Sequence, residues 1–170
     1  MDLVIVPSEH AKNSLTTSGV CSTSIEVVPE CYYKELTSEG ASIDLALSTS
    51  FNFLTVGVLT GMTPDTDRKN LFYLLKWFVE EFKNDPDVGL VIKTNRGRET
   101  SIDRKGTAIL LQKILIELGH TGTPKIHLLH GSMSRSEMNS LYKDKRIKAF
   151  ISATRGEGFG LPHVEAAASG

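Results

Sequence analysis

The sequence predicts an open parallel α/β sheet with helices on both faces, and three observations carry that expectation. Short apolar runs alternate with amphipathic segments at least four times along the chain. One run, Val88 to Ile92, is apolar without a break, as suits a strand buried on both sides. The turns between runs hold glycine, proline and helix-capping residues where a strand would hand over to a helix.

Taken in order, Leu3 to Val6 reads as a strand, and Ser8 offers an N-cap to a helix around Ala11 to Leu15 that Gly19 closes. Ile25 to Val28 is a second short strand, stopped by Pro29. Residues 34–49 are polar without a period and read as connecting loop. Phe51 to Leu59 is a stronger strand. The loop from Gly61 to Asp67 then supplies caps for a long helix whose Leu71, Leu74, Leu75, Phe78 and Phe82 form one buried stripe. After the strand at 88–92, residues 94–105 read as charged loop, and Ala108, Leu111, Leu115 and Leu118 mark a helix over 107–118. Lys125 to Leu129 is the next strand. Ser134-Arg135-Ser136-Glu137 has capping-box spacing ahead of a short helix through Leu141. Ala149 to Ser152 forms the last strand, and Pro162 fits the first turn of a last helix. No internal repeat is visible.

A chain of 170 residues suits one domain with a short appendage. Its formal charge of −1 provides no basic field to draw in nucleic acid or an anionic membrane, so any anion must be held locally. No apolar run approaches the roughly 20 residues needed to span a bilayer. Cys21 and Cys31 form no Cys-x-x-Cys pair and read as reduced thiols of a cytoplasmic protein, and the N-terminus lacks the pattern of a signal peptide. The chain stops at Gly170 inside an expected helix or its cap, which suggests a piece of something longer.

In open α/β sheets ligands bind beyond the carboxyl ends of the strands, so the loops there are the ones to search. The richest is Arg155-Gly156-Glu157-Gly158-Phe159-Gly160-Leu161-Pro162, with three glycines in five residues ahead of a helix. Such a turn suits a phosphate, because glycine lets the backbone approach closely and the helix N-terminus favours negative charge, although it can also be purely structural. Glu157 in the loop and Glu165, expected in the first turn of the helix, would border the same crevice, and carboxylates suit the paired hydroxyls of a ribose or sugar.

The stretch Glu-Gly-Phe-Gly-Leu-Pro-x-x-Glu-Ala-x-Ala-x-Gly over residues 157–170 resembles the signature of the family 4 retaining glycosyltransferases, enzymes of the GT-B fold that use nucleotide-sugar donors. Val6-Pro7-Ser8-Glu9 through Gly19, with Val27-Val28-Pro29, is similar to the stretch joining the two domains of such enzymes. The resemblance implies a Rossmann-like donor-binding half, with residues 1–19 a remnant of the acceptor domain and linker and 20–170 an incomplete donor domain. It implies that Glu165 holds the ribose hydroxyls, that Glu157 lies beside the donor sugar as the catalytic-site carboxylate, and that the backbone at Gly158, Phe159, Gly160 and Leu161 meets sugar and diphosphate. The family clamps the diphosphate with an Arg and a Lys after its first donor-domain strand. Here Val58 follows Gly57 where the common form has Arg, so the clamp is carried over to Lys69 with Arg68 as helper; an exposed basic pair in a first helical turn is the plainer reading.

Lys93 would end its strand at the same crevice, either meeting phosphate or solvating a loop. Met133, in the loop His130-Gly131-Ser132-Met133, falls at the family's base-binding position, and His130 reads as structural. Asp65-Thr66-Asp67 and Asp85-Pro86-Asp87 match the Asp-x-Asp of metal-dependent glycosyltransferases, yet both sit at helix ends where capping is ordinary. The expectation is therefore retaining transfer from a nucleotide diphosphate-sugar without metal or other cofactor. The acceptor, a glycan, lipid or small molecule, would sit on a further domain, and transfer by these residues alone is not expected. The alternatives are a GT-B nucleotide-sugar epimerase or phosphorylase, or a non-catalytic nucleotide-binding module.

Overall fold

The structure is a computed structural model that describes residues 2–33, 40–59 and 63–170. It divides into two compact units, Met1–Tyr33 and Lys34–Gly170. In the first, β1 (Leu3–Val6) and β2 (Ser24–Val27) pair in parallel, with Leu3 opposite Ser24 and Val6 opposite Val27. The connecting helix α1 (Glu9–Thr17) starts at Ser8, whose side chain accepts a hydrogen bond from the Ala11 amide at 3.2 Å. β2 falls in the same compact unit as β1, its ladder partner.

The second unit holds a four-stranded sheet in the order β5-β4-β3-β6, formed by β3 (Phe51–Val56), β4 (Val88–Thr94), β5 (Lys125–His130) and β6 (Ile147–Phe150). Every neighbouring pair is parallel. Each strand is followed by a helix: α2 (Leu71–Phe82), α3 (Ser101–Glu117), α4 (Arg135–Lys143) and α5 (Leu161–Ser169). Alternate residues of the strands feed two cores. Leu90 and Ile92 of β4 pack with Leu74, Leu75 and Phe78 of α2 and with Leu111 and Ile114 of α3. Val91 and Leu54 face the other way, towards Leu141 and Tyr142 of α4 and Ala166 of α5. Period-two alternation in the strands and period-3.6 stripes in the helices together produce this three-layer sandwich.

The sequence expectations fail locally for identifiable reasons. β3 ends at Val56, three residues early, at Gly57. α3 begins at Ser101 rather than 107, because Thr100 and Asp103 form a reciprocal capping box in which aspartate does the work usually given to glutamate. Within α3 Thr107 is buried and Ala108 exposed, so the buried face passes through Thr107, Leu111 and Ile114. In the supposed loop, Leu45 is buried and joins Ile43 and Leu47 against the second core. Residues 34–39, and 60–62 of the turn before α2, lie outside the described residues.

α2 starts later than its sequence suggests, leaving Arg68 and Lys69 in the preceding turn instead of the first helical turn. Asn70 takes a left-handed conformation at the N-cap, φ 56°, and gives no side-chain cap. Asp67 does that work from further back: fully buried, it accepts hydrogen bonds from the amides of Lys69 at 3.2 Å and Leu71 at 2.7 Å. Asp85 likewise accepts from the Asp87 amide in a turn. Both Asp-x-Asp stretches therefore have a local structural role.

Candidate functional site

The chain runs β3, β4, β5 in one direction across the sheet, then returns through α4 to place β6 on the other side of β3. The order reverses there, and such a reversal leaves a crevice at the carboxyl ends of the strands. A cavity of about 350 Å³ lies at that place, lined by Val56, Gly57 and Val58 at the end of β3, Lys93, Thr94 and Asn95 at the end of β4, Arg68 and Lys69 before α2, and Pro162 of α5. Three cations thus converge, the adjacent Arg68 and Lys69 from the β3–α2 loop and Lys93 from the end of β4.

A larger hollow of about 430 Å³ along β6 is lined by Phe53, Trp77, Phe78, Phe82, Ile151 and Ala153, with Glu81 its one charged wall. Its lining has no cation to hold an anion, so the basic crevice is the stronger candidate despite its smaller size.

Lys69 reaches the crevice across Gly57. A Cβ at Gly57 would stand 3.2 Å from the Lys69 Cδ, closer than the stem could accommodate without shifting. The Gly57 amide also donates to the Lys93 carbonyl at 3.0 Å, tying the two strand ends together. Lys93 is itself buried, with its ammonium donating to Asn95 Oδ1 at 3.0 Å and to the Gly131 carbonyl. Burial pushes its pKa below the usual lysine value, and the charge of Glu99 only partly restores it. Beside it Thr94 is buried with no hydrogen-bond partner for Oγ1, an orphan at the end of β4.

The glycine-rich loop is stitched onto the turn carrying the cations. The Arg155 amide and the Thr154 hydroxyl both donate to the Arg68 carbonyl, at 3.0 and 3.3 Å. The Arg155 guanidinium donates to the carbonyls of Asp65 and Pro64 at 3.0 and 2.9 Å. The sequence marks Arg155 only as the first residue of the glycine-rich loop, and Thr154 carries no signal there. At the end of the loop Gly160 caps α5 with φ 79°, a left-handed conformation that suits glycine, and no side chain caps the helix. Pro162 has no amide hydrogen and the His163 amide donates to the Gly160 carbonyl at 2.8 Å, so of the first turn the Leu161 amide is left to water or a ligand.

The two glutamates take different surroundings from those expected. Glu157 pairs with both Lys69 and Arg68, Oε1 lying 2.5 Å from Lys69 Nζ and Oε2 3.3 Å from Arg68 Nη1. Burial works to raise its pKa, but hydrogen bonds from Lys69, Thr154 and Arg68 and the Lys69 charge outweigh it and hold the carboxyl below the usual glutamate value. Glu165 lies in the second turn of α5, not the first, on the side of Pro162. It accepts a hydrogen bond from the Tyr142 hydroxyl at 3.0 Å. Burial raises its pKa, partly opposed by that bond, while burial and the Glu165 charge push the Tyr142 phenol well above its normal value. Met133 packs against the second core and is not among the residues lining the crevice. Phe159 is half-buried, and Gly158 and Leu161 are exposed.

Among the described residues no cluster of His, Cys, Asp or Glu could hold a metal ion, and no helix is long and apolar enough to cross a membrane.

No protein-family model and no curated sequence matches the chain. Solved structures do. The structure described as OtsA in its apo form superposes with a TM-score of 0.69 at 14% identity, over 99% of this chain and 43% of that one. The Escherichia coli trehalose-6-phosphate protein bound with UDP-2-fluoro glucose gives 0.67 at 15% identity, and the UDP-forming trehalose-phosphate synthase of Burkholderia vietnamiensis 0.69 at 13%. The chain therefore has the Rossmann-like parallel α/β fold found in one half of GT-B glycosyltransferases. It spans about 43% of the length of the first structures it matches.

Proposed function

We propose that this chain is the donor-binding part of a retaining, metal-independent GT-B glycosyltransferase resembling family 4, and that the basic crevice holds the diphosphate of a nucleotide-sugar. The observation that carries the reading is the meeting of Lys69, Arg68 and Lys93 with the uncapped N-terminus of α5 at the sheet's reversal point. A diphosphate spreads its charge over its non-bridging oxygens, and basic side chains with the backbone amide at the start of α5 can meet that charge without a metal ion. Held there, the departing nucleoside diphosphate would be stabilised as negative charge grows on it. Further support comes from one structure of the same fold, which is described as bound to UDP-2-fluoro glucose.

Within this reading Glu165 faces the ribose and Glu157 the sugar, while Gly158 to Leu161 offer backbone to both. Met133 contributes to the base pocket from the β5–α4 loop. The acceptor is held by a further domain, in a cytoplasmic protein whose Cys21 and Cys31 are free thiols.

A thermal-shift panel of UDP, GDP and ADP in excess EDTA tests the proposal. One of the three is expected to raise the melting temperature, since a ligand at 100 times its dissociation constant adds about 2.7 kcal/mol. Stabilisation seen only after Mg or Mn is restored would overturn the metal-independent part. No stabilisation in either condition would overturn the whole.

A further inference from the structure

We propose that Glu157 is a displaceable stand-in for a ligand phosphate: its carboxylate occupies the seat between Lys69 and Arg68 until a diphosphate takes that seat and releases Glu157 to the hydroxyls of the sugar. The inference rests on the donor-binding reading above and adds an exchange step to it.

Carboxylate and phosphate oxygens present the same chemistry to an ammonium and a guanidinium: anionic acceptors for charge-assisted hydrogen bonds. Glu157 supplies both acceptors, at 2.5 Å to Lys69 and 3.3 Å to Arg68. A diphosphate entering the crevice must therefore either share these cations with a carboxylate or expel it. Sharing brings like charges together at the site of closest approach, which favours expulsion. The two clamp residues identified for the diphosphate and the glutamate identified for the sugar are thus not independent parts of the site. They are already bound to each other.

The loop is built for the movement. Glu157 sits between Gly156 and Gly158, and a Cβ at either glycine would touch nothing within 4 Å, so this short stretch has open space around it. Just before it the chain is pinned, through the Arg155 amide and the Thr154 hydroxyl on the Arg68 carbonyl. Just after it Gly160 is pinned by its carbonyl, which accepts from the amides of His163 and Val164 at 2.8 and 3.2 Å. The free stretch is short enough for Glu157 to swing without disturbing α5. Arg68 also donates to the Gly156 carbonyl at 2.6 Å, so it keeps a hold on the loop while its other partner leaves.

The exchange has a signature that a simple sugar-binding glutamate would not give: removing the carboxylate should improve binding of a ligand that has phosphates but no sugar. Calorimetric titration of inorganic pyrophosphate, UDP and UDP-glucose into the wild type, Glu157→Gln and Glu157→Asp tests it, with melting curves to establish that each variant is folded. Pyrophosphate and UDP should bind Glu157→Gln about fivefold or more tightly than wild type, as a nearby negative charge has been removed. The gain for UDP-glucose should be smaller, because the sugar loses its carboxylate partner. Glu157→Asp, with the charge kept on a shorter arm, should fall between. If the wild type binds these ligands and Glu157→Gln binds pyrophosphate no more tightly, the exchange is wrong and the donor-binding reading stands. Equal gains for UDP and UDP-glucose would overturn the release of Glu157 to the sugar. If no protein binds pyrophosphate, UDP or UDP-glucose, the donor-binding reading fails and takes the exchange with it.

Discussion

Replacing Lys69 by methionine is expected to weaken nucleoside diphosphate binding by about ten- to a hundredfold, the equivalent of the roughly 1.5 to 3 kcal/mol carried by one charge-assisted hydrogen bond. Methionine keeps the unbranched stem that lies over Gly57, so packing there is preserved while the charge is lost. Two effects add in the same direction. The ligand loses a donor, and Glu157 keeps only Arg68, the longer of its two ion pairs, to neutralise it near the incoming phosphates. Lys76→Met is the control. Lys76 lies on α2 away from the crevice, its ammonium 4.0 Å from Glu80 in a surface pair, so its loss changes the net charge equally without touching the site. Isothermal titration of both variants checks the result. An equal loss in the two would mean that the protein attracts nucleotides only by overall charge.

The second large effect is at Glu165, where stability and binding should fall together. On sequence grounds a first-turn surface glutamate would be dispensable to the fold. The structure instead makes it the acceptor for Tyr142, a core residue packed with Leu54, Val91 and Leu141. Glu165→Ala leaves that phenol unpartnered in an apolar setting, at a cost of about 1 to 3 kcal/mol. Nucleotide affinity should also drop about tenfold as the ribose loses its acceptor. Tyr142→Phe separates the two roles: it removes the orphan hydroxyl, so the double variant should be less destabilised than the sum of the singles. The preference for a ribose over a 2′-deoxyribose nucleotide should shrink in Glu165→Ala and survive in Tyr142→Phe. Melting curves and titrations with the paired nucleotides measure both. Full ribose preference in Glu165→Ala would make Glu165 a core carboxylate and nothing more.

The fold was legible because it is written in short-range patterns. The unbroken apolar run of β4, the α2 stripe from Leu71 to Phe78 and the capping box at Ser134 each follow from residues within one element. Reading failed where the decisive partner lies elsewhere. Leu45 is drawn out of a polar stretch by the core it meets. The site divides in the same way. Its glycine-rich loop and its basic residues are named from type and position alone. The Lys69–Glu157 pair, 88 residues apart, and the Tyr142–Glu165 bond, 23 apart, leave no trace in spacing. Those long-range bonds decide what each charged group does before a ligand arrives, which is why clamp and glutamate could be named separately but not seen as partners.

The central claim is that a nucleoside diphosphate sits where β3 and β4 end against the start of α5. Mapping backbone amide shifts of the isotope-labelled chain during titration with UDP, in the presence of EDTA, tests it most directly. The account predicts the largest changes at Gly57, Val58, Lys69, Thr94 and Asn95 and from Gly158 to Leu161. Changes centred instead on the apolar hollow of Trp77, Glu81 and Ile151, or a spectrum unmoved by saturating nucleotide, would contradict it.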